Sequence, residues 1–301
     1  MKRLFRTLAC IALVTLGPAL GGARAQNAAT IAEPGQGGLR LSASLSGDQK
    51  LVGSGLEWRV FQERAEPDGT HGLIAKSSDP QPVIRLDDGE YVVHVAYGLA
   101  SAMRRVSVRG QVVDQKLNLN AGMLRIAGLL GDAAIPPNRL QIAIYVPERG
   151  GNESRLIVSD ARPGANIRLP EGAYRVISTY LDKDGAGTTP GATGRGNATN
   201  SVVNAEVRVQ AGKLTDVTLR HHAAVLTLKL VNTPGGEALA NTSFSVLTPG
   251  GDVIRELIGA FPSLVLAEGE YVVIARRDGK TFQGTFKVQS SLDRDIEVVA
   301  N

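Results

Sequence analysis

Leu86-Asp-Asp-Gly89-Glu-Tyr91, Leu169-Pro-Glu-Gly172-Ala-Tyr174 and Leu266-Ala-Glu-Gly269-Glu-Tyr271 are three occurrences of one pattern, Leu-x-x-Gly-x-Tyr, and they organise the whole chain. The tyrosines stand 83 and 97 residues apart. Each copy has an apolar residue two places before its leucine (Ile84, Ile167, Leu264) and continues into a valine-containing segment. The downstream spacing repeats as well, with 17 residues from Tyr91 to Val108 and 17 from Tyr271 to Val288. In the middle copy the interval from Tyr174 to Val209 is 35 residues. The excess falls in 182–200, where Gly185, Gly187, Gly191, Gly194 and Gly196 lie among Thr, Asn and Asp, a loop composition. Self-similarity on this scale marks an array of like units.

Inside each unit the apolar period is two. Leu56, Trp58 and Val60 alternate with Glu57 and Arg59; Leu140, Ile142, Ile144 and Val146 share a face; so do Tyr91, Val93, Val95 and Tyr97, and later Leu226, Leu228 and Leu230. Such alternation turns one side of a strand to a core and the other to water. Turn clusters (Pro67-Asp-Gly, Arg149-Gly-Gly, Pro234-Gly-Gly, Pro249-Gly-Gly) interrupt it at the spacing of antiparallel sandwiches and barrels. The fold class read from this is all-β: three tandem antiparallel β-sandwich modules of Ig-like or prealbumin-like type. In the repeated pattern, Gly89, Gly172 and Gly269 would give the backbone freedom for a sharp turn into the strand. Tyr91, Tyr174 and Tyr271 would bury their rings while their hydroxyls bond backbone across the corner. That is a structural role.

The run Ile167-Arg-Leu-Pro-Glu-Gly-Ala-Tyr-Arg-Val176, followed by Val207-Arg-Val209, Gly212 and Val217-Thr-Leu219, resembles the C-terminal half of carboxypeptidase regulatory-like domains. These stand with transthyretin-like and Cna-B-like sandwiches. The third copy adds the N-terminal half in Leu226-Thr-Leu228, Gly235-Gly-Glu-Ala-Leu239 and Phe244-Ser-Val246. The resemblance covers most of 39–300 and implies a seven-stranded sandwich for each unit, with an accessory, stabilising or display role. The first copy departs most from the pattern, having a longer segment before Leu86.

The N-terminus reads as a secretory signal. Lys2, Arg3 and Arg6 precede an apolar stretch from Leu8 to Leu20, and Ala23-Arg-Ala25 offers a cleavage site. The expected division is therefore a signal peptide at 1–25, a flexible segment at 26–38, and modules at 39–120, 121–221 (with the 182–200 insertion) and 222–301. Of 33 Lys+Arg and 29 Asp+Glu, the signal holds Lys2, Arg3, Arg6 and Arg24 and no acid, so the mature chain is balanced. The basic footprint that nucleic-acid binding needs is then missing. The one cysteine, Cys10, leaves with the signal, so the modules rely on packing rather than disulfides. No later segment is apolar for long enough to span a bilayer as a helix. The links between modules, around Leu119-Asn-Ala-Gly122 and Leu219-Arg-His-His222, are too short to act as flexible tethers.

No catalytic set emerges. His71 and His94 are isolated, His94 sharing a strand face with Val92 and Ala96, and His221-His222 would point to opposite faces of a strand. Nothing completes a zinc set. Asp182-Lys-Asp184-Gly185 resembles the opening of a calcium loop but lacks its closing glutamate. Gly191-Ala-Thr-Gly194-Arg-Gly196 is not followed by Lys and Ser or Thr, so it is no phosphate loop. The Asn152, Asn197 and Asn241 sequons matter only in a glycosylating compartment. No cofactor, metal or catalytic residue is expected. The reading is an exported, periplasmic or secreted, non-enzymatic binding or spacer protein whose partner is a protein or glycan of the cell envelope. The one loop peculiar to a single copy supplies the partner-contact residues Asp182, Asp184 and Arg195. The alternative is a carbohydrate-binding or accessory subunit serving an envelope enzyme.

Overall fold

A computed structural model describes residues 37–47, 50–148, 154–182 and 201–300. The signal segment 1–25, most of 26–38, and Asp184 and Arg195 with the rest of 183–200 lie outside the described residues. The fold is all-β, with one 3-10 turn among the described residues, at Pro137–Arg139. No helix among the described residues is long and apolar enough to cross a membrane.

The first module is built from β1 (Gly38–Ser44), β2 (Glu57–Ala65), β3 (His71–Ser77), β4 (Val83–Arg85), β5 (Gly89–Tyr97), β6 (Ala100–Val108) and β7 (Val112–Asn118). One sheet has the order β4-β1-β7 and the other β3-β2-β5-β6. β1 runs antiparallel to β4 and parallel to β7. The second module repeats this with β8 (Ala121–Leu130), β10 (Leu140–Pro147), β11 (Ser154–Val158), β12 (Ile167–Pro170), β13 (Gly172–Tyr180), β14 (Val202–Val209) and β15 (Leu214–His221), and adds a two-residue β9 (Ala133–Ala134). Its sheets are β12-β8-β15 and β11-β10-β13-β14. The third has β16 (Ala223–Val231), β17 (Ser243–Leu247), β18 (Val253–Ile258), β19 (Ser263–Ala267), β20 (Gly269–Arg277), β21 (Lys280–Val288) and β22 (Arg294–Val299), in sheets β19-β16-β22 and β18-β17-β20-β21. The longer early segment of the first copy leaves this topology unchanged.

The alternating residues face where their period puts them. Leu39, Leu41, Trp58, Val60, Val93 and Val95 are buried in the first core, Leu124, Ile126, Ile142 and Ile144 in the second, and Leu226, Leu228, Phe244 and Val246 in the third. Each such aliphatic side chain contributes roughly 1.5–3 kcal/mol by leaving water. Trp58 donates its indole N–H to the Asp79 carbonyl at 3.1 Å, so burying it strands no polar atom. In each module the second strand of the four-stranded sheet shifts register against its edge partner, at Val60/Phe61, Ile144/Tyr145 and Val246/Leu247. A bulge beside an edge strand twists that edge away from stray pairing.

The repeated motif forms the corner between the two sheets. The hydroxyl of Tyr91 donates to the Asp87 carbonyl at 2.9 Å, that of Tyr174 to Pro170 at 2.8 Å, and that of Tyr271 to Ala267 at 2.9 Å. Each bond is worth about 1 kcal/mol. The corner glycines do something other than expected. Gly89, Gly172 and Gly269 are absent from the positive-φ residues, so no special backbone conformation requires them. Side-chain clearance is tight only at the first corner, where a Cβ on Gly89 would stand 3.3 Å from the Tyr91 hydroxyl oxygen; on Gly172 and Gly269 it would make ordinary contact with the tyrosine ring, at 3.8 and 3.5 Å.

The expected flexible segment is also shorter than 26–38 at its inner end. Gly37 and Gly38 are buried and Gly38 opens β1. A Cβ on Gly38 would meet the Ile84 carbonyl at 2.6 Å, so strand pairing reaches this far back along the chain.

Candidate functional site

Asp182, expected to face a partner from a solvated loop, is buried at 9 % exposure and committed inside the chain. Its carboxylate pairs with the guanidinium of Arg255, itself 6 % exposed, and accepts the backbone N–H of Val265 at 2.5 Å. Asp182 follows β13 of the second module, Arg255 lies on β18 and Val265 on β19 of the third. β18 and β19 are edge strands of the third module's two sheets, so one carboxylate ties both to its neighbour. Val265 packs in the second module's core cluster. Arg255 pairs across the ladder with core residue Val246, which explains how an arginine occupies an inward position. A buried charge of this kind is tolerated because its counter-ion is present.

The first junction uses the same arrangement with different chemistry. The turn after β5 lies against β12 of the second module, and Leu99 N–H donates to the Arg168 carbonyl at 3.1 Å. The Arg168 guanidinium lies 4.4 Å from the centroid of the Tyr97 ring, a cation–π contact. Arg168 fits only because glycines flank it. A Cβ on Gly55 would come within 2.4 Å of its Nη1, and one on Gly98 within 2.7 Å of its own Cβ. Arg168 and Val265 each directly precede the leucine of the motif. At both junctions, then, the end of the corner strand or the turn after it seats on the edge strand before the motif leucine of the following module. The links are held alike. Glu171 N–H donates to the Asn120 carbonyl at 2.7 Å and Glu268 N–H to the His222 carbonyl at 3.0 Å. Tyr97 and Tyr180 both stand six residues after their corner tyrosine, a second periodic signal in the sequence.

Next to Asp182 is a buried polar cluster. His221, 1 % exposed, bonds through Nδ1 to the Ser201 carbonyl at 3.1 Å and through Nε2 to Ser178 Oγ at 2.9 Å. A carbonyl only accepts, so the hydrogen is assigned to Nδ1, and Nε2 accepts the Ser178 hydroxyl. The Tyr180 ring meets His221 edge-on at 6.2 Å, and Arg139 covers Tyr180 at 4.7 Å. Burial pushes the His221 imidazole below its ordinary pKa. A hydrogen-bonded serine and histidine is the pair that acyl transfer uses, but Ser178 is fully buried and its hydrogen bond is spent within the module. The pair braces the second module internally.

The remaining histidines are scattered. His94 shares the outer face of its sheet with Arg59 and Met103, its strand neighbours, and burial together with Arg59 lowers its pKa. His71 bonds the Gln62 carbonyl at 2.9 Å, and His222 lies 3.9 Å from Glu268. Among the described residues no group of three or more His, Cys, Asp or Glu is placed to hold a metal ion. Asn241 adopts a left-handed φ of 57°, while the other two sequons lie outside the described residues. Each three-stranded sheet also carries an outward cation–aspartate pair between its first and last strands: Arg40 with Asp114 at 3.0 Å, Arg125 with Asp216 at 2.5 Å, and Lys229 with Asp295. Solvent screens the two arginine pairs, so they fasten the strands weakly. Two clefts lie beside corner tyrosines. One of about 570 Å³ is lined by Gln62, Ile74, Arg85, Asp87 and Tyr91, and one of about 350 Å³ by Glu270, Tyr271, Phe286 and Lys287.

Residues 225–300, the third module almost entire, match the family model of the Rhizobiales growth-associated tandem repeat domain. No curated protein matches the chain. Among solved structures, the chain is similar to the Bacillus anthracis TIE protein at 15 % identity and a TM-score of 0.25, over 88 % of this chain and 51 % of that one. It thus spans about half the length of that protein. It is also similar to BcpA, the major pilin subunit of Bacillus cereus, at 12 % identity and a TM-score of 0.23, over 88 % of this chain and 100 % of that one. A third likeness is to GBS52, the minor pilin of Streptococcus agalactiae, at 12 % identity and a TM-score of 0.27, over 61 % of this chain and 94 % of that one.

Two outcomes follow from the junction. Asp182→Ala takes a buried carboxylate away from the Arg255 guanidinium and the Val265 N–H and should lower the chemical-denaturation midpoint, by about 3 kcal/mol, with hydrogen exchange at Val265 rising first; an unchanged midpoint would refute the assignment. His221 and His94 both have folded pKa values below the unfolded value of about 6.5, so the unfolded chain takes up protons first. Their stabilisation is complete above that pH and is lost as pH falls through it. Melting temperature should therefore decline with acidification from about pH 6.5, and His221→Gln should flatten the decline, leaving the His94 part.

Proposed function

We propose that the protein is an exported, non-enzymatic binding or spacer protein of the periplasm or cell envelope, made of carboxypeptidase regulatory-like modules held in fixed succession. The observation that carries this reading is the junction used twice, hairpin on edge strand with the link carbonyl tied to the next corner. Two links fixed in the same way favour one orientation repeated along the chain over independent domains on tethers. The sealed Ser178–His221 pair and the scattered histidines support a non-enzymatic role. The leader-like N-terminus supports export.

Partner contacts, to a protein or a glycan of the envelope, are assigned to the insertion and within it to Asp184 and Arg195. Asp182 is left out because the adjacent module already occupies it. Replacing 184–199 by a short Gly-Ser turn should leave melting unchanged while reducing partner capture from an envelope extract. Capture at full strength would move the contact elsewhere.

The spacer reading has its own measurement. Three sandwiches of about 30 Å each, set end to end, make a rod of roughly 90–100 Å. Small-angle scattering on residues 26–301 should return that maximum dimension, whereas the value for a single compact globule would overturn the spacer.

A further inference from the structure

The loop that leads from the edge strand β3, β11 or β18 to the motif has one length in all three modules. Nine residues separate Ala75, Val158 and Arg255, each paired beside its bulge, from Ile84, Ile167 and Leu264. Ser78, Ala161 and Ile258 are therefore equivalent, as are Gln81, Gly164 and Phe261. At these two positions only the third module has large apolar side chains, and both face water, Ile258 at 82 % exposure and Phe261 at 61 %. Gln81 and Gly164 stay exposed although a module follows each of them, so the exposure of this loop is not set by what stands next in the chain. The loop is held at both feet. Gly259 takes a φ of 145°, a conformation that favours glycine; its N–H donates to the Thr242 carbonyl at 3.0 Å, and the Pro262 carbonyl accepts the Leu228 N–H at 2.9 Å. From Ile258 to Pro262 the chain reads Ile-Gly-Ala-Phe-Pro, without a polar side chain. The surroundings are polar. Ile258 shares its ladder row with Ser243, Arg276 and Thr281, and Ser245 and Glu256 stand in the row behind. Lys229, paired with Asp295, has its Nζ 5.9 Å from the centroid of the Phe261 ring. In the β20–β21 hairpin Arg277 pairs with Asp278, and Arg276 and Lys280 are exposed.

We propose that this loop is a contact point for an anionic phospholipid bilayer, with Ile258 and Phe261 entering the interface and Arg276 and Lys280 meeting the headgroups. A hot spot between proteins needs a ring of surrounding contacts that shuts water out. Two protruding side chains among serine, threonine and charged neighbours offer no such ring. A bilayer closes round a protrusion from every side, and apolar groups that enter its surface beside basic ones are what holds a peripheral protein there. The first module, with Ser78 and Gln81 at the same positions, has no such chemistry. The contact goes beyond the partner residues assigned to the insertion and does not depend on them.

Flotation of residues 26–301 with vesicles of phosphatidylglycerol and phosphatidylcholine in equal parts tests this. The wild type should float with them, and most of it should be lost from vesicles of phosphatidylcholine alone and at high salt. Ile258→Ser with Phe261→Gln, which gives the loop the residues of the first module, should melt like the wild type and bind at least roughly tenfold more weakly. In Phe261→Trp the new indole's emission should shift to the blue when the mixed vesicles are added, over a constant background from the buried Trp58. A wild type that stays behind in the buffer overturns the proposal and leaves a protein socket as the loop's occupant. A folded double variant that floats undiminished overturns it, as do equal flotation on phosphatidylcholine alone and an unshifted Phe261→Trp emission.

Discussion

An edge strand with one row of backbone groups unpaired is a liability in any sandwich, and in this chain each module covers that edge on the next. The short strands before the motif, β12 and β19, pair on one side within their own sheets and receive the preceding module on the other. Much of the remaining structure follows from this. The hairpin after β5 must be tight and glycine-bearing to lie against β12, with Gly98 at φ 64° and a neighbouring Arg168 that would collide with any side chain there. The links must be short, or the hairpin would not reach. The corner must be rigid, because the residue before its glycine holds the link carbonyl.

The two junctions solve the same problem with opposite chemistry. The first is exposed enough for a stacked arginine and one backbone bond. The second removes a carboxylate, a guanidinium and an imidazole from water and has to satisfy each of them. Burial is tolerated there because the partners converge from both modules: the Asp182 carboxylate takes the Arg255 guanidinium and the Val265 N–H, and the His221 ring takes Ser178 and Ser201. The insertion leaves the chain between Asp182 and Ser201, both of them anchored in this cluster.

Within a module most of this was legible in the amino acids. Alternation at Leu56-Trp58-Val60 and Leu226-Leu228-Leu230 says which face is inward, and the recurring Leu-x-x-Gly-x-Tyr says where the corner falls. Contacts between modules were not legible, for a definite physical reason. Asp182 looks like any loop acid beside Lys183 and Asp184, and its counter-ion Arg255 is 73 residues away on a strand where only register shows that it points inward. Arg168 likewise looks like a polar outward residue until Tyr97 is placed beneath it. A glycine before a strand suggests backbone freedom, yet none of the corner glycines takes a positive φ, and dihedral angles are not written in the residue types. The recurrence of Tyr97 and Tyr180 at the same offset was there to be counted.

The parallel pairing of first and last strands has a mechanical meaning. A pull along the array enters a module at the start of β8 and leaves at the end of β15, and those strands lie side by side from Met123↔Leu214 to Leu130↔His221. Force applied at these opposite ends slides one strand along the other, so all the hydrogen bonds of the pair carry load together instead of parting one after another. The same holds for β1 with β7 and β16 with β22. Each module is thereby a link that resists traction in shear, and the Arg125–Asp216 pair, which bridges those two strands, is a cross-tie on the loaded seam.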